Sequence, residues 1–218
     1  MRKLNIVASV VVAALSAALV AAGETPAPAP AGAWVVIYKS DFKEPKLPKE
    51  WTVLSGEPEV KDGAILMKNG DEECQITLSN PKAAGDVKLE FDGTLRGEKI
   101  SDLSPSLNAG DDGFASGYLL QFAAGGNTEN RLRKEGEVVE STVSNKPLAT
   151  AGKKHHVVAQ NENGVLTLVV DGQPVMQYKD AHPLKGALHS QIGFYTFGCT
   201  LKIENIVLSK KEAPPENK

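Results

Sequence analysis

The sequence predicts an all-β fold, a two-sheet antiparallel β-sandwich, and three observations carry that expectation. Asp86 to Leu95 (DVKLEFDGTL) alternates cleanly, with Val87, Leu89 and Phe91 on one face and Lys88, Glu90 and Asp92 on the other, the period of a half-buried strand. Twenty glycines and 13 prolines supply turn chemistry along all 218 residues, which favours many short strands. No segment carries a sustained apolar stripe at helical spacing.

The chain opens with Met-Arg-Lys and then an apolar run from Ile6 to Ala22 closed by small residues. That order reads as an export signal over 1–23, cut after Ala22 or Gly23, so the protein is expected in the periplasm or outside the cell. Retention of the run as an N-terminal anchor is the alternative, since about seventeen apolar residues approach spanning length; a membrane enters only in that case. No cysteine lies near the cleavage point, which argues against lipoprotein processing. Residues 24–32 (ETPAPAPAG) are a Pro/Ala linker with nothing to bury, residues 33–209 form one sandwich domain, and 210–218 form a disordered polar tail.

Within the domain, Ala33 to Phe42 opens the first sheet. Trp51 to Leu54 and Pro58 to Lys61 lead to Asp62-Gly63, a hairpin signal, and Ala64 to Lys68 returns. Cys74 to Leu78 and Asp86 to Leu95 follow. Ile100 to Gly113 holds Pro, Asn and two Asp and reads as a long loop. Gly117 to Ala124, Asn130 to Lys134 and Val138 to Val143 form a meander. Lys154 to Gln160 pairs with Val165 to Val170, Asp171-Gly172 turns into Pro174 to Tyr178, and Gln191 to Phe197 and Thr200 to Leu208 close the fold.

Three stretches carry a resemblance. KKHHVV (153–158) with VLTLVVDGQPV (165–175) resembles a WHHVA hairpin followed by L-x-L-Y-V-D-G-x-x-V. IGFYTFGCTLKIENIV (192–207) resembles an I-G-F strand followed by one ending in I-D-N-V. Trp51 with VKDGAIL (60–66) resembles W…V-x-D-G-x-L. Together these resemble the concanavalin A-like lectin/glucanase superfamily, in particular its laminin-G-like jelly rolls and the 3-keto-disaccharide hydrolase-like domains. The resemblance implies a jelly-roll sandwich and a sugar as ligand or substrate. Lys154 stands where the motif has Trp, and Glu204 where it has Asp. Family 16 glucanases carry E-x-D-x-x-E on one strand; here Glu90-Phe91-Asp92 is followed by Leu95 in place of the last Glu, so that constellation is incomplete.

A formal charge of −3 supplies no basic field for nucleic acid. There is no P-loop, dinucleotide fingerprint or nucleophile elbow. Glu90 and Asp92 share a strand face about 7 Å apart, a spacing that could serve an acid/base pair in glycoside hydrolysis or a solvated face. Arg131 and Arg133 also share a face, with Asn130, Gln121 and Tyr118 nearby; guanidinium groups suit sugar hydroxyls and carboxylates, or they pair across strands with Glu137 and Glu140. Asp111 and Asp112, with Asn108, form an oxygen-rich loop that could hold calcium or simply turn the chain; no other cofactor is expected. Adjacent His155 and His156 point to opposite faces and cannot share a metal. Cys74 and Cys199, the only cysteines, are expected to form a disulfide in an exported chain, with two buried thiols as the alternative. Three functions follow: a glycan-binding module without evident catalytic machinery, which the residues favour, a hydrolase acting on sugars, or an envelope domain that binds protein.

Overall fold

The computed structural model describes residues 32–68 and 72–212. The expected signal, linker residues 24–31 and tail residues 213–218 lie outside them. The fold is an antiparallel jelly roll of two sheets. β1 (Trp34–Ser40), β3 (Glu57–Lys61), β4 (Ala64–Lys68), β6 (Val87–Arg96), β11 (Lys154–Glu162), β12 (Val165–Val170), β13 (Gln173–Lys179) and β15 (Thr200–Lys211) make one sheet. β2 (Trp51–Ser55), β5 (Glu73–Leu78), β7 (Ser104–Ala109), β8 (Tyr118–Ala123), β9 (Glu129–Lys134), β10 (Glu137–Val143) and β14 (Gln191–Phe197) make the other.

The first sheet runs β13-β12-β11-β6-β15-β4-β3. Two strands share one side of β15: β4 pairs with Leu201–Ile203, and β1 pairs with Ile206 to Lys211 beyond a bulge. Asn205, at φ 55°, takes up the bulge. β15 therefore continues two residues into the segment read as tail. The second sheet runs β10-β9-β8-β7-β14-β5-β2.

Alternation fills the space between the sheets as expected. Leu89 and Phe91 from β6 meet Ile192 and Phe194 from β14, all buried. Phe194 lies edge-on to Phe91 at 4.8 Å and stacks on Trp51 at 5.9 Å. The Trp51 indole donates to Tyr38 Oη at 2.9 Å, giving its polar end a partner.

Two expectations fail here. Ile100 to Gly113 is not a loop throughout, because Ser104–Ala109 is β7 at the centre of the second sheet. All six of its residues are buried on both faces, so the strand has no polar solvent face and its composition resembles a turn. The Cys74–Cys199 disulfide is also absent: both are buried free thiols. The Cys199 thiol donates to the Ser101 carbonyl at 2.8 Å and touches Thr196 Oγ1 at 3.2 Å. Thr196 faces Cys74 across the β14/β5 pair, so it stands against both cysteines. Burial pushes the Cys74 thiol up to about 11, which keeps it protonated and unreactive.

Candidate functional site

Both carboxylates of the expected acid/base pair carry partners from neighbouring side chains. Glu90 and Asp92 lie on the outer face of the eight-stranded sheet. Lys88 holds Glu90 at 2.8 Å. Asp92 accepts from His156 Nδ1 at 3.0 Å and Asn205 Nδ2 at 2.7 Å. Burial alone would raise the Asp92 pKa, but these donors and Lys154 hold it below the usual carboxylate range. Beside them Lys154 and Lys202 both pair with Glu204.

The calcium candidates do not converge. Asp111 accepts from Gln191 Nε2 at 2.6 Å, Asp112 is exposed, and buried Asn108 is taken up by the Gly85 carbonyl and Asn161. Among the described residues no three His, Cys, Asp or Glu side chains gather as a metal site would. Of the adjacent histidines, His155 points inward, against Phe122 and bonded to Asp171, and His156 points out.

The arginines are different. Register places one polar row across the outer face of the seven-stranded sheet. Ser141 faces Arg131, and Arg131 faces Gln121. Ser104 follows, between the Leu103/Phe122 bridge and the Ser106/Leu119 pair. Ser104 faces Tyr195, Tyr195 faces Gln75, and Gln75 faces Ser55. Alternation puts Asp102 on the same face as Ser104.

These groups are wired together. Gln121 donates to Asp102 Oδ1 at 2.6 Å and accepts from Arg133 Nε at 3.0 Å. Arg133 also donates to the Gly136 carbonyl at 2.8 Å, and Arg131 donates to Glu129 at 2.6 Å. The bland expectation of pairing with Glu137 and Glu140 therefore fails: Glu129 and the β9–β10 turn supply the partners. Burial raises the Asp102 pKa despite bonds from Ser101 and Gln121 and the nearby arginines. Burial, with Asp102 and Glu73 close by, pushes the Tyr195 phenol up to about 12, so it stays a neutral hydroxyl able to donate.

Two expected site residues leave the set. Tyr118 is wholly buried; its hydroxyl donates to Asp180 at 2.6 Å and accepts from the Leu184 amide at 2.8 Å. It faces inward because alternation on β8 sends Tyr118, Leu120 and Phe122 to the core and Leu119 and Gln121 outward. Asn130 likewise turns away from the arginines on β9, is 6 % exposed, and accepts from the Ala123 amide.

A loop covers part of this face. Residues Gly110 to Gly117 leave β7, reach over the sheet and return to β8. Gly113 packs so closely on β5 that a Cβ there would lie 1.7 Å from Gln75 Nε2. Phe114 lies edge-on to Tyr195 at 4.8 Å. Under and beside the loop, Gln75 Nε2, Ser104 Oγ, Ser106 Oγ and Ser55 Oγ are buried without a hydrogen-bond partner. Each such atom costs about 1 to 3 kcal/mol relative to a satisfied one.

Sequence reasoning finds Arg131, Arg133 and Gln121 but misses Asp102, Ser104, Tyr195 and Gln75. Tyr195 is legible, since strict alternation from Ile192 and Phe194 puts it on the outer face. Asp102 and Ser104 sit in the segment that reads as loop.

No family model and no curated relative matches the sequence. Solved structures do match. A carbohydrate-binding module, CBM66, from Bacillus subtilis aligns at TM-score 0.62 and 17 % identity over 74 % of this chain and 96 % of its own. A Bacillus subtilis protein of unknown function with a galectin-like fold aligns at TM-score 0.60 and 12 % identity over 83 % of this chain and all of its own. An endo-β-1,3-glucanase from Pyrococcus furiosus aligns at TM-score 0.59 and 10 % identity over 83 % and 96 %. The chain therefore shares the two-sheet β-sandwich fold of these structures. At such identities the likeness is one of architecture.

Proposed function

We propose that the protein is an exported glycan-binding β-sandwich that takes its ligand on the outer face of the seven-stranded sheet. The observation that carries the reading is the row Arg131–Gln121–Ser104–Tyr195–Gln75, in which the partly exposed Arg131 and Tyr195 flank hydrogen-bonded Gln121, itself held between Arg133 and Asp102. A sugar hydroxyl both donates and accepts, and so can take an arginine N–H and the Tyr195 hydroxyl at once. The carbohydrate-binding and glucanase structures that share the fold are consistent with this. The test is a glycan-array screen of the exported protein, repeated with Arg131→Ala/Arg133→Ala. Removing one charge-assisted hydrogen bond to the sugar is expected to cost about 1.5 to 3 kcal/mol of affinity, so the double variant should bind at least tenfold more weakly while remaining folded. Undiminished binding by the folded variant, or no glycan bound by the wild type, would reject the reading.

Hydrolysis of a glycan is the second reading, and one observation favours it. Asp102 is 7 % exposed and held above its usual pKa, as a general acid requires. Release of new reducing ends from a bound oligosaccharide, abolished by Asp102→Asn, would establish it. Binding without turnover would leave the lectin-like role.

A further inference from the structure

A second feature lies beside the polar row, along β14 from Tyr195. Phe197 lies two residues further along β14 on the same outer face, about 7 Å away by strand rise, facing Glu73 across the β5 pair. It is 48 % exposed, unusual for a phenylalanine beside a polar surface. It lines an open cleft of about 500 Å³ together with Glu98, Lys99, Ile100, Ser101 and Asn127.

The cleft and the row are physically joined. Ser101 Oγ, in the cleft wall, donates to Asp102 Oδ2 at 2.8 Å, and the other Asp102 oxygen takes the Gln121 amide. At the far end Gly125, at φ +57°, packs against Glu129 and Arg131, where a Cβ would stand 2.6 Å from Glu129 Oε1. Along β14 the exposed Phe197 ring thus stands two residues from the half-buried Tyr195 hydroxyl, on the face that carries Arg131.

Its charge selects the ligand. Arg131 is answered by Glu129, and Arg133, through Gln121, by Asp102. Glu73 is exposed at the same edge, and Glu98 and Lys99 both line the cleft. A carboxylate or sulfate would meet carboxylates as well as arginines, whereas neutral hydroxyls can use both at once. The exposed ring of Phe197 offers an apolar face to the C–H side of a sugar ring, and Tyr195 beside it offers a hydroxyl. Rings two strand positions apart span more than a single sugar.

Resting on the glycan-binding reading, we infer that the ligand is a neutral oligosaccharide that extends from the Arg131–Gln121–Tyr195 row into the Phe197 cleft, with one sugar on the row and a following one against Phe197.

The experiment uses the full chain on an array of neutral and anionic glycans, with neutral chains graded in length from a single sugar upward. Wild type is compared with Phe197→Ala, Phe197→Trp and Arg131→Ala, and circular dichroism confirms folding. Wild type is expected to bind neutral chains with affinity that rises with length. Phe197→Ala should weaken binding to the longer chains about tenfold, about 1.4 kcal/mol, and leave the single sugar unaffected. Phe197→Trp should retain the gain with length, and Arg131→Ala should weaken binding at every length. Binding confined to anionic glycans, or a gain with length unchanged in Phe197→Ala, would overturn this inference and leave glycan binding standing. No binding to any glycan would overturn both.

Discussion

The outer faces of the two sheets differ in how their polar groups are answered. On the eight-stranded sheet the charges answer one another: Lys88 with Glu90, His156 and Asn205 with Asp92, Lys154 and Lys202 with Glu204. Lys88 and Lys211 also flank the Trp34 ring, at 5.7 and 5.6 Å from its centroid. On the seven-stranded sheet the polar groups are more deeply buried, a loop crosses over them, and several atoms have no partner. A face whose groups are paired can exist for solubility alone. A face that keeps desolvated, unpaired groups carries a standing cost that solubility alone does not require. Among the carboxylates, Asp92 and Glu204 are held below their usual range, as is Glu129 beside Arg131, while buried Asp102 is held above it.

The largest effect should come from the loop that separates the two faces in character. Gly113→Ala places a methyl into Gln75 and Leu54 at a residue with φ +61°. Overpacking and the left-handed backbone together should cost about 2 to 4 kcal/mol, read as a lower urea midpoint. A drop in stability under about 0.5 kcal/mol, within the range of an ordinary surface substitution, would mean that the loop rests only loosely on the sheet.

A smaller effect is expected from Glu90→Gln/Asp92→Asn. The pair belongs to surface ion networks, so stability should fall by no more than about 1 kcal/mol and glycan affinity should be essentially unchanged. A large fall in binding would move the site to the other sheet.

The subtlest expectation concerns pH. Asp92 has a folded pKa below its unfolded value near 3.8, so its contribution is present above that value and is lost as the pH falls through the folded pKa. Asp92→Asn should therefore match wild type in acid and be less stable at neutral pH. Asp102 has its folded pKa raised, so its ionisation costs stability as the pH rises from the unfolded value through the folded one. Asp102→Asn should gain on wild type over that interval. Urea melts from acid to neutral pH would show the two difference curves bending in opposite directions; parallel curves would remove the electrostatic contrast.

The legible part of this molecule follows from alternation. Val87, Leu89 and Phe91 announce β6, the Asp62-Gly63 and Asp171-Gly172 turns announce their hairpins, and Arg131 and Arg133 stand side by side as their spacing requires. What stays hidden is what burial on both faces hides. β7 reads SPSLNA because its outward side packs under the Gly110–Gly117 loop, so no polar/apolar contrast marks it. Tyr118 resembles a ligand-facing ring because composition does not reveal that Asp180 and Leu184 wait for it inside. The thiols of Cys74 and Cys199 resemble a bridge because a count of two does not reveal Thr196 standing against both.

Backbone amide chemical shifts of the domain, titrated with the best-bound neutral oligosaccharide, test the central claim most directly. The shifts should move on β8, β9 and β14 around Gln121, Arg131, Tyr195 and Phe197, while β6, β11 and β15 around Asp92, His156 and Glu204 stay still. Perturbations centred on Asp92 and His156, with the Arg131 row unmoved, would contradict it.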